Sequence, residues 1–85
     1  MPETTKVSRC FANVLIAHRK KAKLSQDKLA AKVDLDRTYI SLLERGLRQP
    51  SLSTILALAE AFQVPAHVMI QDVEKHLNIE PKQKL

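Results

Sequence analysis

The sequence has few of the residue types that build loops, cross-links and sheets. Its 85 residues include one glycine, one cysteine, two phenylalanines, one tyrosine and no tryptophan. One glycine excludes collagen-like chains and glycine-loop nucleotide-binding chains, which use glycine repeatedly. A single cysteine excludes an internal disulfide, and so few aromatic residues argue against a β-sandwich or β-barrel. The composition therefore favours one small domain of helices joined by short corners.

Long apolar runs are also missing. No stretch approaches the roughly 18 residues that a membrane-spanning helix needs. The segment from Met1 to Lys6 is polar and lacks the apolar core of a signal peptide. We therefore expect a soluble, cytoplasmic protein with no membrane partner. A hydrophobic core of this size is marginal, so association between copies would add stability.

Positive charge is concentrated in the first half of the chain. Between Lys6 and Arg48 there are eleven Lys and Arg residues against four acids, a net charge of +7, whereas residues 49–85 carry three Lys against four acids. A basic half beside a nearly neutral half is typical of a polyanion-binding face. A merely solvated basic surface is the alternative that charge alone leaves open.

Apolar residues recur at spacings of three and four along most of the chain, which predicts an all-α protein. Three side chains suit helix N-caps, namely Ser25, Asp36 and Ser51. The predicted helices span residues 8–22, 26–33, 37–45, 52–62 and 65–77. Residues 1–7 are expected to form a flexible N-terminal arm, residues 8–78 the domain, and residues 79–85 a frayed tail. In the fourth helix we place an apolar face on Leu52, Ile55, Leu56, Ala59 and Phe62.

The second and third predicted helices form a helix-turn-helix, because both are short and only about three residues join them. Ala30 is small where the third helix must approach closely, and Leu35 and Ile40 close the angle between the two helices. The outer face of the third helix then carries Arg37, Thr38, Ser41 and Leu42.

The segment from Leu24 to Val64 resembles the Cro/C1-type helix-turn-helix family, which includes phage repressors and restriction–modification controller proteins. The resemblance extends over about Phe11 to Ile70. Its most specific pieces are Leu24-Ser25-Gln26, Leu29-Ala30, Tyr39-Ile40-Ser41, Glu44-Arg45-Gly46 and Pro50-Ser51-Leu52. The resemblance implies a five-helix, lambda-repressor-like domain that binds double-stranded DNA and regulates transcription.

The resemblance also implies roles for individual residues. Positions that read base edges in the major groove correspond to Arg37, Thr38, Ser41 and Leu42. Positions that contact phosphates correspond to Gln26, Tyr39, Arg45, Gly46 and Arg48. Arg19 and Glu44 match an ion pair that fixes the recognition helix. Each DNA-contacting position also has a plainer interpretation, as a solvated charge, a half-buried packing residue or, for Gly46, a helix cap.

Members of this family commonly bind two half-sites as a twofold-symmetric pair, so we expect a homodimer on an inverted repeat. Apolar residues cover more of the fifth helix than one core face needs, and we expect the dimer interface at Ile70, Val73 and Leu77. Coverage of the core of a single chain is the alternative. A second alternative for the whole protein is a protein-interaction module, such as an antitoxin-like partner that uses the same fold.

The sequence departs from the family where the chain turns left-handed. Glycine is common there, but this chain has Lys23, Asp34 and Gln63.

Enzymatic chemistry finds no support in the sequence. The three histidines His18, His67 and His76 lie far apart without a cysteine pattern, and Cys10 lies on an apolar helix face. We therefore expect no metal site, no cofactor, no catalytic residue and no small-molecule ligand.

Overall fold

Five helices separated by four short corners account for most of residues 4–78, the part of the chain that this computed structural model describes. The helices are α1 (Thr4–Lys21), α2 (Gln26–Val33), α3 (Arg37–Glu44), α4 (Leu52–Phe62) and α5 (Ala66–Leu77). Helix α1 packs against α3 and α5, α2 packs against α3 and α4, and α4 packs against α5. The five-helix, all-α prediction is confirmed.

The three predicted N-caps begin the three central helices. In each of them a side-chain oxygen accepts a backbone N–H of the first helical turn, which otherwise has no partner inside the helix. Lys28 donates to Ser25 at 3.1 Å, Thr38 to Asp36 at 2.8 Å, and Thr54 to Ser51 at 3.0 Å.

Three corners that often carry glycine in the family keep their left-handed shape without it. The φ angles of Lys23, Asp34 and Gln63 are 60°, 57° and 60°. The helix-ending hydrogen bonds are formed as well; for example, the N–H of Leu35 donates to the carbonyl of Ala30 at 2.9 Å. These three residues therefore adopt a left-handed backbone conformation that is unfavourable for residues other than glycine.

The core is drawn from all five helices. Its largest fully buried side chains are Val14, Leu15, Leu29, Ile40, Leu43, Leu58 and Met69. Ala30 of α2 is buried in the core, and Leu35 and Tyr39 lie half-buried against it. The contacts of α3 with both α1 and α2 hold it at the surface with one face inward.

The boundary predicted between the arm and the first helix is wrong by about one turn. Helix α1 begins at Thr4 rather than Ser8, so residues 4–7 are helical. The hydroxyl of Ser8 donates to the carbonyl of Thr4 at 3.1 Å, and the amide of Gln49 donates to the same carbonyl, also at 3.1 Å. The loop before α4 therefore contacts the first turn of α1. The rest of the predicted arm, residues 1–3, and the predicted tail, residues 79–85, lie outside the described residues.

The apolar face predicted for α4 is partly wrong. Leu52 and Leu56 are 71% and 53% exposed, whereas Leu58 is fully buried. Two overlapping sets of residues in α4 both show helical spacing, because the helix is apolar at most positions. The set that contains Ile55, Leu58 and Phe62 contacts the core.

No helix within residues 4–78 is by itself long and apolar enough to cross a membrane. Helices α4 and α5 reach the necessary length and composition only as a pair bent by 108°.

Candidate nucleic-acid interface

Helix α3 presents its predicted base-reading residues on the side opposite the core. Ile40 and Leu43 are fully buried on the inner side. Arg37 and Thr38 are exposed at the start of the helix, and Ser41 and Leu42 are half-buried one turn later. The four predicted base-reading residues thus lie along one face of α3, as the prediction of a helix that inserts into a major groove requires.

A buried carboxylate fixes the other end of α3. Arg19 donates to both oxygens of Glu44, with Nη2 lying 3.1 Å from Oε1 and Nε bonded to Oε2. Arg19 also donates from Nη1 to the carbonyl of Leu24 at 2.9 Å. Only 5% of the Glu44 side chain and 15% of the Arg19 side chain are exposed. Hydrogen bonding to Glu44, with a smaller coulombic contribution and against partial desolvation, raises the pKa of Arg19. The pair links α1 to α3 in the way that the resemblance implies.

Gln26, the predicted phosphate ligand at the start of α2, belongs to the same network. Its side-chain amide donates to Oε1 of Glu44 at 2.9 Å. A primary amide has two N–H donors, so this bond sets the plane of the amide and leaves a second N–H for an acceptor outside. The sequence reasoning did not anticipate this contact.

The remaining predicted phosphate ligands are Tyr39 within α3 and three residues that follow the helix, Arg45, Gly46 and Arg48. Arg45 and Arg48 are exposed, and Tyr39 is half-buried against the core. Gly46 has a φ of 72°, and a Cβ at this position would lie 3.1 Å from Cγ and 3.3 Å from Cα of Arg9. The positive φ and the close packing of α1 therefore both favour glycine here, whether or not DNA also approaches.

An ion pair joins the first turns of α2 and α3 on this surface. Nε of Arg37 lies 3.4 Å from Oδ1 of Asp27, and both side chains are largely exposed. Sequence reasoning missed Asp27, since no motif marks it and its partner is ten residues away.

The residues predicted for the dimer interface fall into different environments within one chain. Val73 is only 7% exposed and belongs to the core, and Leu77 is half-buried against the core. Ile70 is 40% exposed. Burial of Val73 therefore needs no partner chain, and Ile70 is the member of the three that is most accessible.

His18 and Cys10 have structural surroundings, whereas His67 and His76 are exposed. Nε2 of His18 lies 3.0 Å from Oδ2 of Asp72, and the His18 ring stacks on Phe62 with the ring centres 5.7 Å apart. Cys10 is buried in the core. Within residues 4–78, no three His, Cys, Asp or Glu side chains are grouped so that they could hold a metal ion.

Comparison with known proteins agrees with this geometry. The helix-turn-helix family profile matches residues 15–68, which include α2, α3 and α4. The chain belongs to the Cro/C1-type helix-turn-helix family. Among its relatives, the control protein C.MunI from Mycoplasma sp is 39% identical over 66 residues, which cover 76% of this chain and 89% of C.MunI.

Solved structures of Cro/C1-type proteins share the fold. The restriction–modification controller protein C.AhdI from Aeromonas hydrophila superposes with a TM-score of 0.70 at 37% identity, covering 73% of this chain and 94% of C.AhdI. The controller protein C.Esp1396I, crystallised as a tetramer with its natural 35 base-pair operator, superposes with a TM-score of 0.75 at 26% identity, covering 85% of this chain and 95% of that protein. This Cro/C1-type chain is thus a DNA-binding transcriptional regulator of the controller and repressor group.

Proposed function

We propose that the protein regulates transcription by binding a short inverted repeat in double-stranded DNA as a homodimer. The observation that carries this proposal is the outer face of α3, where Arg37, Thr38, Ser41 and Leu42 are accessible while Glu44 holds the helix from behind. Each subunit inserts α3 into a major groove, and the two grooves lie one helical turn apart. Regulation then acts by occupancy, either by blocking a promoter or by recruiting polymerase from an adjacent site.

Arg37 is proposed to contact guanine, because its guanidinium can donate two hydrogen bonds to O6 and N7. Gln26 is proposed to bind a phosphate through the amide hydrogen that Glu44 does not use. Tyr39, Arg45, the backbone at Gly46 and Arg48 are proposed to contact the phosphate backbone on either side of the groove. Phosphate contacts give affinity and register, whereas base contacts give sequence preference.

Selection of bound duplexes from a random DNA pool tests the proposal directly. We expect enrichment of an inverted repeat, which defines the half-site and the spacing together. The loss of affinity caused by Arg37→Ala should depend on which base pair occupies the position that Arg37 reads. Lys75→Ala on α5 is the matched control and should bind DNA as tightly as the unmodified protein does. A pool that shows no enrichment would contradict DNA reading and would favour the protein-interaction alternative.

Salt dependence separates phosphate contacts from base contacts. Each neutralised phosphate contributes about −0.9 to the slope of log affinity against log salt concentration. Arg48→Ala in a dimer removes two such contacts and should make the slope shallower by about 1.8. An unchanged slope would remove Arg48 from the set of phosphate ligands.

Ile70 is proposed to lie in the homodimer interface, because this apolar side chain on α5 is exposed in the single chain. The tetramer that C.Esp1396I forms on its operator supports association between copies. Ile70→Glu should shift the protein towards monomer in sedimentation, and Gln71→Glu controls for the added charge on the neighbouring exposed position. Val73→Glu would instead disturb the core, so it cannot distinguish dissociation from unfolding. A dimer that Ile70→Glu leaves intact would exclude this residue from the interface.

A further inference from the structure

An acidic side chain lies beside the arginine that is proposed to read DNA. Oδ1 of Asp27 is 3.4 Å from Nε of Arg37, and the two side chains are 80% and 61% exposed. A carboxylate at this place repels the phosphate backbone and opposes binding to any duplex. Asp36, also nearby in the chain, caps α3 by accepting the N–H of Thr38 at 2.8 Å. Its negative charge therefore stabilises the start of α3 even though it repels phosphates. Asp27 lies in the first turn of α2, where an acid suits the helix dipole, but that role does not require its contact with Arg37.

The part of the guanidinium that faces Asp27 is informative. Arginine has five N–H donors in a planar fork, one on Nε and two on each terminal nitrogen. Nε is the guanidinium nitrogen that lies at ion-pair distance from Asp27, so the two terminal nitrogens remain for another acceptor. A terminal fork matches the paired acceptors O6 and N7 of guanine. An approach through Nε and one terminal nitrogen would require the contact with Asp27 to break.

The pair also limits the directions in which Arg37 can point. An exposed ion pair is weak in water because solvent screens it and two flexible side chains must be ordered. A duplex lying over this surface excludes water, and the attraction between the two charges then increases. Asp27 therefore acts most strongly when Arg37 is at the DNA.

We propose that Asp27 is a positioning residue that holds the guanidinium of Arg37 end-on towards a guanine, so that it lowers affinity for DNA in general and raises discrimination at one base pair. This inference rests on the proposed DNA-binding function. The charge of Asp27 weakens binding to every duplex, and its contact with Nε improves the preference for guanine over the other bases.

A double-mutant cycle on the selected operator tests the proposal. Dissociation constants are measured for the unmodified protein, Asp27→Ala, Arg37→Ala and the double variant. The duplexes are the operator, its variants with each other base pair at the position that Arg37 reads, and one unrelated sequence. That position is the one at which Arg37→Ala loses its base preference.

A bidentate arginine–guanine contact discriminates by roughly 5- to 150-fold. We expect Asp27→Ala to bind the unrelated duplex more tightly and to reduce discrimination at the Arg37 position by about threefold or more. In the Arg37→Ala background, removal of Asp27 should still tighten binding but should leave the base preference unchanged. Asp27→Glu keeps the charge and displaces the carboxylate, so it should lose discrimination without the gain in general affinity.

Two results would overturn the inference. Equal tightening of all duplexes by Asp27→Ala, with the base preference intact, would make Asp27 a simple repulsive charge at the first turn of α2. The same loss of preference with and without Arg37 would show that Asp27 acts through another group. If Arg37→Ala changes no base preference anywhere in the operator, the result contradicts the proposed base-reading role of Arg37, on which the inference about Asp27 depends. Thermal melting of each variant checks that binding changes do not come from unfolding.

Discussion

Replacing Glu44 with alanine tests the hydrogen-bond network that holds α3. Its two carboxylate oxygens accept three N–H groups, two from Arg19 and one from Gln26. Alanine removes the acceptors and leaves the guanidinium, which is mostly buried, with the carbonyl of Leu24 as its remaining partner in the network. The energetic cost comes mainly from this uncompensated charge rather than from the lost attraction itself.

The expected size follows from the burial of the two side chains. Removing one partner of a buried ion pair costs about 3–5 kcal/mol. The 15% exposure of Arg19 gives its guanidinium some access to water, so we expect the lower end, about 3 kcal/mol. A domain of this size loses about 4–8 °C of melting temperature per kcal/mol, so the midpoint should fall by roughly 12–24 °C.

Thermal and urea unfolding followed by circular dichroism measure this effect. Glu60→Ala on the exposed surface of α4 is the matched control and should change stability by less than about 0.5 kcal/mol. The double replacement Arg19→Met with Glu44→Leu should recover most of the loss, because it removes both charges and keeps the volume. A Glu44→Ala variant as stable as Glu60→Ala would refute the reasoning.

The pH dependence of this effect has a definite sign. Because the pKa of Arg19 is raised in the folded chain, its contribution is complete below the unfolded pKa and is lost only when the pH rises through the folded value. The pKa values of Arg19 in the folded and unfolded chains both lie well above pH 9, so its protonation state does not change between about pH 7 and pH 9. The difference in stability between Glu44→Ala and the unmodified protein should therefore stay constant over that range. A marked change over that range would assign the effect to another group.

Three further predictions concern packing and corners. Gly46→Ala should lower the free energy of unfolding by about 1–3 kcal/mol, since a positive φ and the backbone of Arg9 both oppose a Cβ; unchanged urea unfolding would contradict this. Lys23→Gly should raise it by up to about 1 kcal/mol, because glycine relieves the left-handed conformation, and a loss would mean that chain entropy outweighs strain. Leu58→Ala should lower the free energy of unfolding by about 2–5 kcal/mol, because Leu58 is fully buried. Leu56→Ala, at an exposed position two residues away, should lower it by less than about 1 kcal/mol. Equal losses would show that α4 does not pack on the core through the face that contains Leu58.

The candidate site was predictable where it follows a linear pattern. The spacing of helix, corner and helix marked α2 and α3, and the alternation of Arg37 and Thr38 with the buried Ile40 followed from helical periodicity. The partners of these residues were not predictable in the same way. Asp27 and Gln26 meet Arg37 and Glu44 because two helices cross, and a crossing angle leaves no signature in either segment.

Local chemistry along the chain was sufficient to set most helix boundaries. A capping side chain or a corner depends on the residue itself and its nearest neighbours, so Ser25, Asp36 and Ser51 could be assigned before any packing was known. The left-handed corners at Lys23, Asp34 and Gln63 were indicated by the resemblance to the family and not by these residue types, which disfavour a positive φ.

Packing between helices settled the questions that local chemistry left open. Helix α4 has two faces that are apolar enough for a core, and contact with its neighbours buries Leu58 and leaves Leu52 and Leu56 at the surface. The first turn of α1, which begins earlier than its apolar pattern predicts, also contacts a distant loop through Gln49. Such contacts join residues far apart in sequence, and their energies exist only once several helices are in place together, so no single segment encodes them.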